Sequence, residues 1–180
     1  ILKFLPLSSI PKKNLAYKGV RMSLPTDKPS QDPAKPSEEA PLEIRKLDRS
    51  DLEQIHLIEQ DVYSDPWSKE LLGESLEAPM TYSLGWSLEG RCVAYGIYQV
   101  IFHEAHLLNI AVAGSQQRKG LGAELLEAVL QDCTKRGALS FFLEVRPSNE
   151  RARKLYESKG FKTLMQRESY YADGENALIM

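Results

Sequence analysis

Hydrophobic and polar positions follow a regular pattern only from Leu42 onward. Leu42-Glu43-Ile44-Arg45 alternates and predicts a short strand. Leu52, Ile55, Ile58 and Val62 then recur at helical spacing, behind Asp48 or Ser50 as the N-cap. Asp65-Pro66-Trp67 interrupts that helix. Ser68 caps a second one through Leu71, Leu72 and Leu76, and Pro79 closes it. Two β runs follow, Tyr82 to Leu88 and Arg91 to Ile101, joined by the hairpin signal Glu89-Gly90. A third run spans Ala105 to Ala113. Leu121, Leu125, Val129 and Cys133 mark a long amphipathic helix from near Gly120 to Gly137. An apolar strand over Leu139 to Val145 comes next, then a helix from Ser148-Asn149 to Gly160. Strands over Phe161 to Tyr171 and Ala177 to Met180 close the pattern around an Asp173-Gly174 turn. Strands come first as a meander and then alternate with helices. That order predicts a mixed sheet covered by helices, of α/β or α+β class.

The first 41 residues are different in kind. Seven of the ten prolines fall at or before Pro41. From Leu24 to Pro41 the chain is almost wholly Pro, Ser, Lys, Asp, Glu, Thr, Gln and Ala, a composition that cannot bury enough apolar surface to offset its ordering entropy. Residues 1–41 are therefore expected to be a disordered arm, and 42–180 a single domain. The arm carries 7 basic and 4 acidic residues, and the remainder 16 and 21, which supports a boundary near Leu42. Residues 1–21 hold five basic side chains and no acid. A targeting peptide is one reading, although Arg and Ser are sparse and no cleavage signal stands out. Upstream sequence ahead of a start at Met22 is the other. The chain also ends inside the last expected strand, so a missing C-terminal piece is one expectation.

Overall charge changes the picture little. With 23 basic and 25 acidic residues the net charge is −2, which asks for no nucleic-acid or membrane partner. No apolar run approaches the ~20 residues needed to span a bilayer. Cys92 and Cys133 form no CxxC pair and read as small core hydrophobes in a reducing, cytoplasmic setting. His56, His103 and His106 lack metal-ligand spacing, so no metal is expected.

The most specific local feature is Gln117-Arg118-Lys119-Gly120-Leu121-Gly122-Ala123, between a β run and the long helix. A helix N-terminus offers unpaired N–H groups and partial positive charge, and glycine lets a ligand approach the backbone closely. Together they suit a pyrophosphate. Arg118 and Lys119 add charge. A P-loop would need Gly-Lys-Ser/Thr, whereas Lys119 precedes the glycine. A dinucleotide fingerprint would need a small residue where Leu125 stands. A lone Gly-x-Gly is equally compatible with an ordinary helix start.

Further segments narrow the reading. Leu108-Asn109-Ile110-Ala111-Val112 precedes the loop. After the helix come Phe142-Leu143-Glu144-Val145-Arg146, Pro147-Ser148-Asn149, and Leu155-Tyr156-Glu157-Ser158-Lys159-Gly160-Phe161. This series resembles the GCN5-related N-acetyltransferase (GNAT) family. With Tyr170-Tyr171 and the Asp65-Pro66-Trp67-Ser68 turn, it resembles that family's ribosomal-protein-alanine N-acetyltransferase (RimI) subfamily, over about Leu42 to Met180. The resemblance implies a central, mostly antiparallel mixed sheet of about seven strands flanked by about four helices. It implies acetyl-CoA as cosubstrate, its pyrophosphate held by Gln117, Arg118, Lys119, Gly120, Leu121, Gly122 and Ala123. It implies backbone contacts to the acetyl and pantetheine groups from Ile110, Ala111 and Val112, with the Val112 N–H as oxyanion donor. Asn149 would also contact acetyl-CoA. Glu144 would be the proton acceptor and Tyr156 the proton donor. Trp67, Tyr170 and Tyr171 would flank the substrate. The substrate would be the N-terminal alanine of small-subunit ribosomal protein eighteen, and the enzyme a cytoplasmic monomer.

The residues themselves leave more than one reading open. Acetyl transfer from a thioester to an amine needs a neutral amine, a donor for the oxyanion and a proton for the leaving thiolate. Glu144 is the one acid in an apolar strand, where burial would raise its pKa toward that of a useful base. It also reads as an edge carboxylate paired with Arg146 or a lysine. Asn149, Ala152 and Tyr156 share one helix face, so Asn149 and Tyr156 point along one ligand, or Tyr156 simply fills the core. The same choice, groove or core, applies to Trp67, Tyr170 and Tyr171. Two other functions remain alongside: acetylation of other N-termini or a small amine, and acetyl-CoA binding without turnover.

Overall fold

A computed structural model describes residues 42–180. The expected disordered arm, residues 1–41, lies outside the described residues. The first half contains β1 (Leu42–Lys46), α1 (Leu52–Val62), α2 (Lys69–Glu77), β2 (Thr81–Leu88), β3 (Arg91–Ile101) and β4 (Glu104–Val112). The second half contains α3 (Leu121–Lys135), β5 (Ser140–Val145), α4 (Glu150–Ser158), β6 (Met165–Arg167) and β7 (Ala177–Ile179).

Local chemistry sets the boundaries. Asp48 accepts from the Ser50 N–H at 2.8 Å and caps a short 3₁₀ turn that runs into α1. Ser68 Oγ accepts from the Leu71 N–H at 3.2 Å and opens α2. Glu89 and Gly90 take φ of +53° and +75°, the left-handed pair that a two-residue hairpin between twisted strands requires.

The seven strands form one sheet in the order β1-β2-β3-β4-β5-β7-β6. Only β4 and β5 are parallel, because the α3 crossover joins them; every other neighbouring pair is antiparallel. One face packs Leu52, Ile55 and Ile58 of α1 and Leu72 of α2 against Tyr95, Ile97 and Ala111. The other packs Leu126 and Leu130 of α3 and Tyr156 of α4 against Leu143, Val145 and Leu178. Ile55, Leu72 and Leu126 are fully buried, each worth about 1.5–3 kcal/mol in transfer free energy. Cys92 and Cys133 are free and buried, and desolvation pushes both thiols up to about 12.

The strand expected over Phe161 to Tyr171 is only Met165–Arg167. Its partner β7 offers three positions, with Met165 opposite Ile179 and Arg167 opposite Ala177. Ser169 then turns the chain with φ +48°, its N–H donating to Asn176 Oδ1 at 2.8 Å. Tyr170 and Tyr171 are thereby placed on a loop instead of a ladder.

Candidate active site

A slip in strand register opens the sheet. β4 pairs with β5 only from Glu104 to Leu107, against Ser140 to Leu143. In the β3–β4 ladder Tyr98 faces Leu107 and Ile97 faces Asn109, so Leu108 is bulged out. A bulge bends its strand and disrupts the ladder. Beyond it β4 stays with β3, while Glu144 and Val145 pair with Ile179 and Leu178 of β7. The two central strands therefore part at Leu108 and Glu144.

The Ala113 N–H donates to the Val93 carbonyl at 2.9 Å. Backbone groups alternate along a paired strand, so Ile110 and Val112 turn theirs into the gap and Ala111 turns its own toward β3. The Tyr63 hydroxyl donates to the Ile110 carbonyl at 2.7 Å, and Gln117 Nε2 donates to the Val112 carbonyl at 3.1 Å. The Ile110 and Val112 N–H groups share the gap with those capped carbonyls.

A cavity of about 490 Å³ fills the gap, walled by Glu59, Trp67, Glu144, Tyr156, Tyr170 and Tyr171 among others. Ile110 and Asn149 also line it; Ala111, Val112 and residues 117–123 do not. Side-chain alternation decides which face each group serves. Leu143 and Val145 belong to the α3–α4 core, so Glu144 between them projects on the α1 face. Asn109 shares that face with Ala111. Tyr156 comes from α4, on the opposite face. The cavity thus runs through the sheet, with two carboxylates on one side and a phenol on the other.

Burial does not close over Glu144. Its side chain is 35% exposed and pairs with Arg167 at 2.6 Å. The partner is neither Arg146 nor a lysine, because Arg146 is taken up by Asp173 and Glu175, at 2.8 and 2.9 Å. A hydrogen bond to Glu144 raises the Tyr170 phenol above its ordinary pKa. Tyr156 is 6% exposed, and desolvation, with Tyr171 nearby, pushes its hydroxyl up to about 12. Tyr171 lies under the Arg146 guanidinium, 3.7 Å from the ring centroid, and edge-on to Tyr170 at 5.1 Å. Glu175 also accepts from the Ser148 N–H at 2.8 Å, which ties the tyrosine loop to the start of α4. Trp67 is half-buried against the α1 core and also lines the cavity.

Asn149 Oδ1 caps α4 by accepting from the Ala152 N–H at 3.0 Å, which leaves its amide NH₂ as the group a ligand can use. Asn149→Asp should therefore keep the cap, while Asn149→Ala should lower stability by about 1 kcal/mol in urea unfolding.

On the other side of the sheet, Gly120 starts α3 with φ +88°. A Cβ there would meet only Glu124 Oε1, at 3.8 Å, so the space beside it is open. The Ala123 and Glu124 N–H groups already bond the Gly120 carbonyl. Leu121 and Gly122 supply the amides of the open helix end. Arg118 (φ +66°) and Lys119 are exposed beside them. Gln117 links this loop to α4, its Oε1 accepting from Arg151 at 2.9 Å. Arg151 is thereby a third cation beside the loop, outside the motif that marks it in the sequence. The loop therefore fits an anionic phosphate group by backbone, space and charge.

Glu59 and Tyr63 belong to none of the sequence motifs above, and Asn109 stands there only as part of the Leu108-Asn109-Ile110-Ala111-Val112 run. Glu59 follows Ile58 on the inward face of α1, and an acid at such a position is the signal that marks it. Among the described residues no group of three His, Cys, Asp or Glu is placed to hold a metal ion, and no helix is long and apolar enough to cross a membrane.

Comparison with known proteins matches this geometry. Residues 47–161 match the model of the Acetyltransferase (GNAT) family. The chain is 40% identical over 141 residues to the [ribosomal protein bS18]-alanine N-acetyltransferase of Escherichia coli K12, covering 76% of this chain and 94% of that one. The crystal structure of the ribosomal-protein-S18-alanine N-acetyltransferase from Escherichia coli superposes with a TM-score of 0.73 at 39% identity, over 77% of this chain and 91% of the other. Ard1 from Thermoplasma volcanium superposes at 0.72 and 27% identity, over 77% and 95%. The parted strands, the glycine loop at the head of α3 and these matches have one explanation: the chain belongs to the GNAT acetyltransferase family.

Proposed function

We propose that this chain is an acetyl-CoA-dependent N-acetyltransferase that acetylates the α-amine of N-terminal alanine on ribosomal protein bS18. The observation that carries this reading is the 40% identity extending over 94% of the Escherichia coli bS18-alanine N-acetyltransferase. Acetyl-CoA is the donor that GNAT enzymes use, and the residues present fit it. Arg118, Lys119, Gly120, Leu121 and Gly122 form the pyrophosphate seat, braced by Gln117 and closed by Ala123. The Ile110 and Val112 backbones line the gap for the pantetheine arm, and Ala111 is the spacer between them. Asn149 donates its amide NH₂ to that arm. The Val112 N–H is the oxyanion donor.

Glu144 takes the proton that the amine must lose, from the face of the sheet where the peptide arrives. Tyr156, protonated throughout the working range, donates to the departing thiolate from the other face. Trp67, Tyr170 and Tyr171 hold the first residues of the peptide at the mouth.

We also assign the activity to residues 42–180 and make residues 1–41 dispensable. Mass spectrometry of an alanine-initiated peptide incubated with acetyl-CoA and enzyme tests both assignments. The full chain and a chain beginning at Pro41 should each add one acetyl group to the α-amine. No product with the full chain would overturn the function; product with the full chain alone would overturn the domain assignment.

A further inference from the structure

Glu144 stands where its own strand does little to hold it. Leu143 and Val145 on either side turn into the α3–α4 core, while Glu144 projects from the other face with 35% of its side chain exposed. A glutamate free to sample its rotamers is a poorly aimed base, because a base must come within about 2.6–3.2 Å of the proton it takes. The hold comes from two strands away. β7 lies between β5 and β6, with Ile179 opposite both Glu144 and Met165, and Ala177 opposite Arg167. Opposite residues share a face, and so do residues two apart on one strand, so Glu144 and Arg167 stand on the same face. With only alanine at 177, the Arg167 side chain has room to lie across β7.

Arg167 Nη1 donates to Glu144 Oε1 at 2.6 Å. Glu144 and Tyr170 line the cavity, and Arg167 does not. The Tyr170 hydroxyl bonds the same carboxylate, and its ring centroid lies 5.7 Å from the guanidinium. The cation therefore meets Glu144 from outside the cavity. A carboxylate offers about four acceptor sites, so these two contacts leave room for the proton of an amine. Arg146, closer along the chain, holds Asp173 and Glu175 instead. A half-exposed ion pair adds little to stability, which leaves geometry as what this one supplies. We propose that Arg167 is a positioning residue for Glu144, pinning one oxygen of the carboxylate so that the group stays aimed at the bound α-amine. The inference rests on the N-terminal acetyltransferase reading with Glu144 as its base. The rival role for the same contact is a lock that the α-ammonium must displace, and the cation would then hinder the reaction. The place of Arg167 outside the cavity wall favours the first role.

The test is a double-mutant cycle. Single-turnover acetylation of an alanine-initiated peptide, and the peptide KM, are measured for the wild type, Arg167→Met, Glu144→Gln and the double variant. Arg167→Met keeps an apolar stem and should slow the chemical step by about 10–100-fold, the scale of a misplaced group, while the peptide KM and the melting shift with acetyl-CoA hold. In the Glu144→Gln background the same substitution should cost nothing further, because no carboxylate is left to aim. Arg167→Lys should recover most of the rate, since one N–H contact does not need the guanidinium fork. A wild-type rate in Arg167→Met, an equal loss in both backgrounds, or no recovery in Arg167→Lys overturns the proposal. A faster Arg167→Met enzyme with a lower peptide KM assigns the lock instead. If Arg167→Met does not fold, Arg167→Ala runs the same cycle with the same outcomes. Failure of the wild-type enzyme to acetylate the alanine peptide would overturn the functional reading and this inference together. A wild-type rate in Glu144→Gln would remove the base, and the inference with it, while the acetyltransferase reading stands.

Discussion

Glu144→Gln should slow acetylation of an alanine-initiated peptide by about 10²–10⁴-fold at neutral pH, the usual cost of removing a general base. The substitution keeps the shape of the side chain, and Glu144 lies on the opposite face of the sheet from Tyr156 and α4, so acetyl-CoA affinity should not change. The deficit should shrink as the pH passes the α-amine pKa of ~7.7–8.0, because the amine then loses its proton without help. Tyr156→Phe should also slow turnover, with the opposite response. The Tyr156 hydroxyl is held up to about 12, so it is a donor across the whole assay range, and raising the pH supplies no substitute for it. Single-turnover rates from pH 6 to 9, with chemistry isolated from product release, separate the two roles. Wild-type single-turnover rates in both variants at neutral pH would remove both residues from the mechanism.

Gly120→Val should abolish stabilisation by acetyl-CoA. A ligand bound only to the folded state, at ~100 times its dissociation constant, adds ~2.7 kcal/mol to stability. Gly120 sits at φ +88°, where a β-branched residue is strained by about 1–3 kcal/mol. No backbone crowds the position, since Glu124 Oε1 at 3.8 Å is all that a Cβ would meet. The variant should therefore fold with a lowered melting temperature, and its new side chain should stand where the phosphate approaches Leu121 and Gly122. Thermal melts with and without acetyl-CoA check both effects. A shift of wild-type size in the variant would remove the loop from the cofactor site.

The elements were readable because each carries its own local signal. Ser68, Asn149 and the Glu89-Gly90 turn mark boundaries that hydrogen bonds and dihedral angles then bear out. The seven-stranded mixed sheet likewise follows from a meander and one crossover. What the pattern could not show was long-range. Phe161 to Tyr171 looks like a continuous strand until the shortness of β7 limits what it can pair with. Glu144 looks buried because its neighbours are apolar, yet they face the other way and Arg167, far along the chain, reaches it. Glu59 was hidden for the converse reason. An acid on a helix is ordinarily solvated; its place beside Ile58 on the inward face of α1 hints otherwise, and the packing of α1 over Tyr95 and Asn109 shows that this one is buried.

The gap between β4 and β5 also bears on solubility. Parted strands leave two unpaired edges in the interior of a sheet, and unpaired edges invite a strand from another chain. Here the invitation is withdrawn by side chains, because the Tyr63 hydroxyl and the Gln117 amide occupy the Ile110 and Val112 carbonyls that an intruding strand would need. Removing both plugs, as in a Tyr63→Phe, Gln117→Leu double variant, turns a ligand channel into a docking edge, and self-association is the outcome that this geometry leads one to watch for.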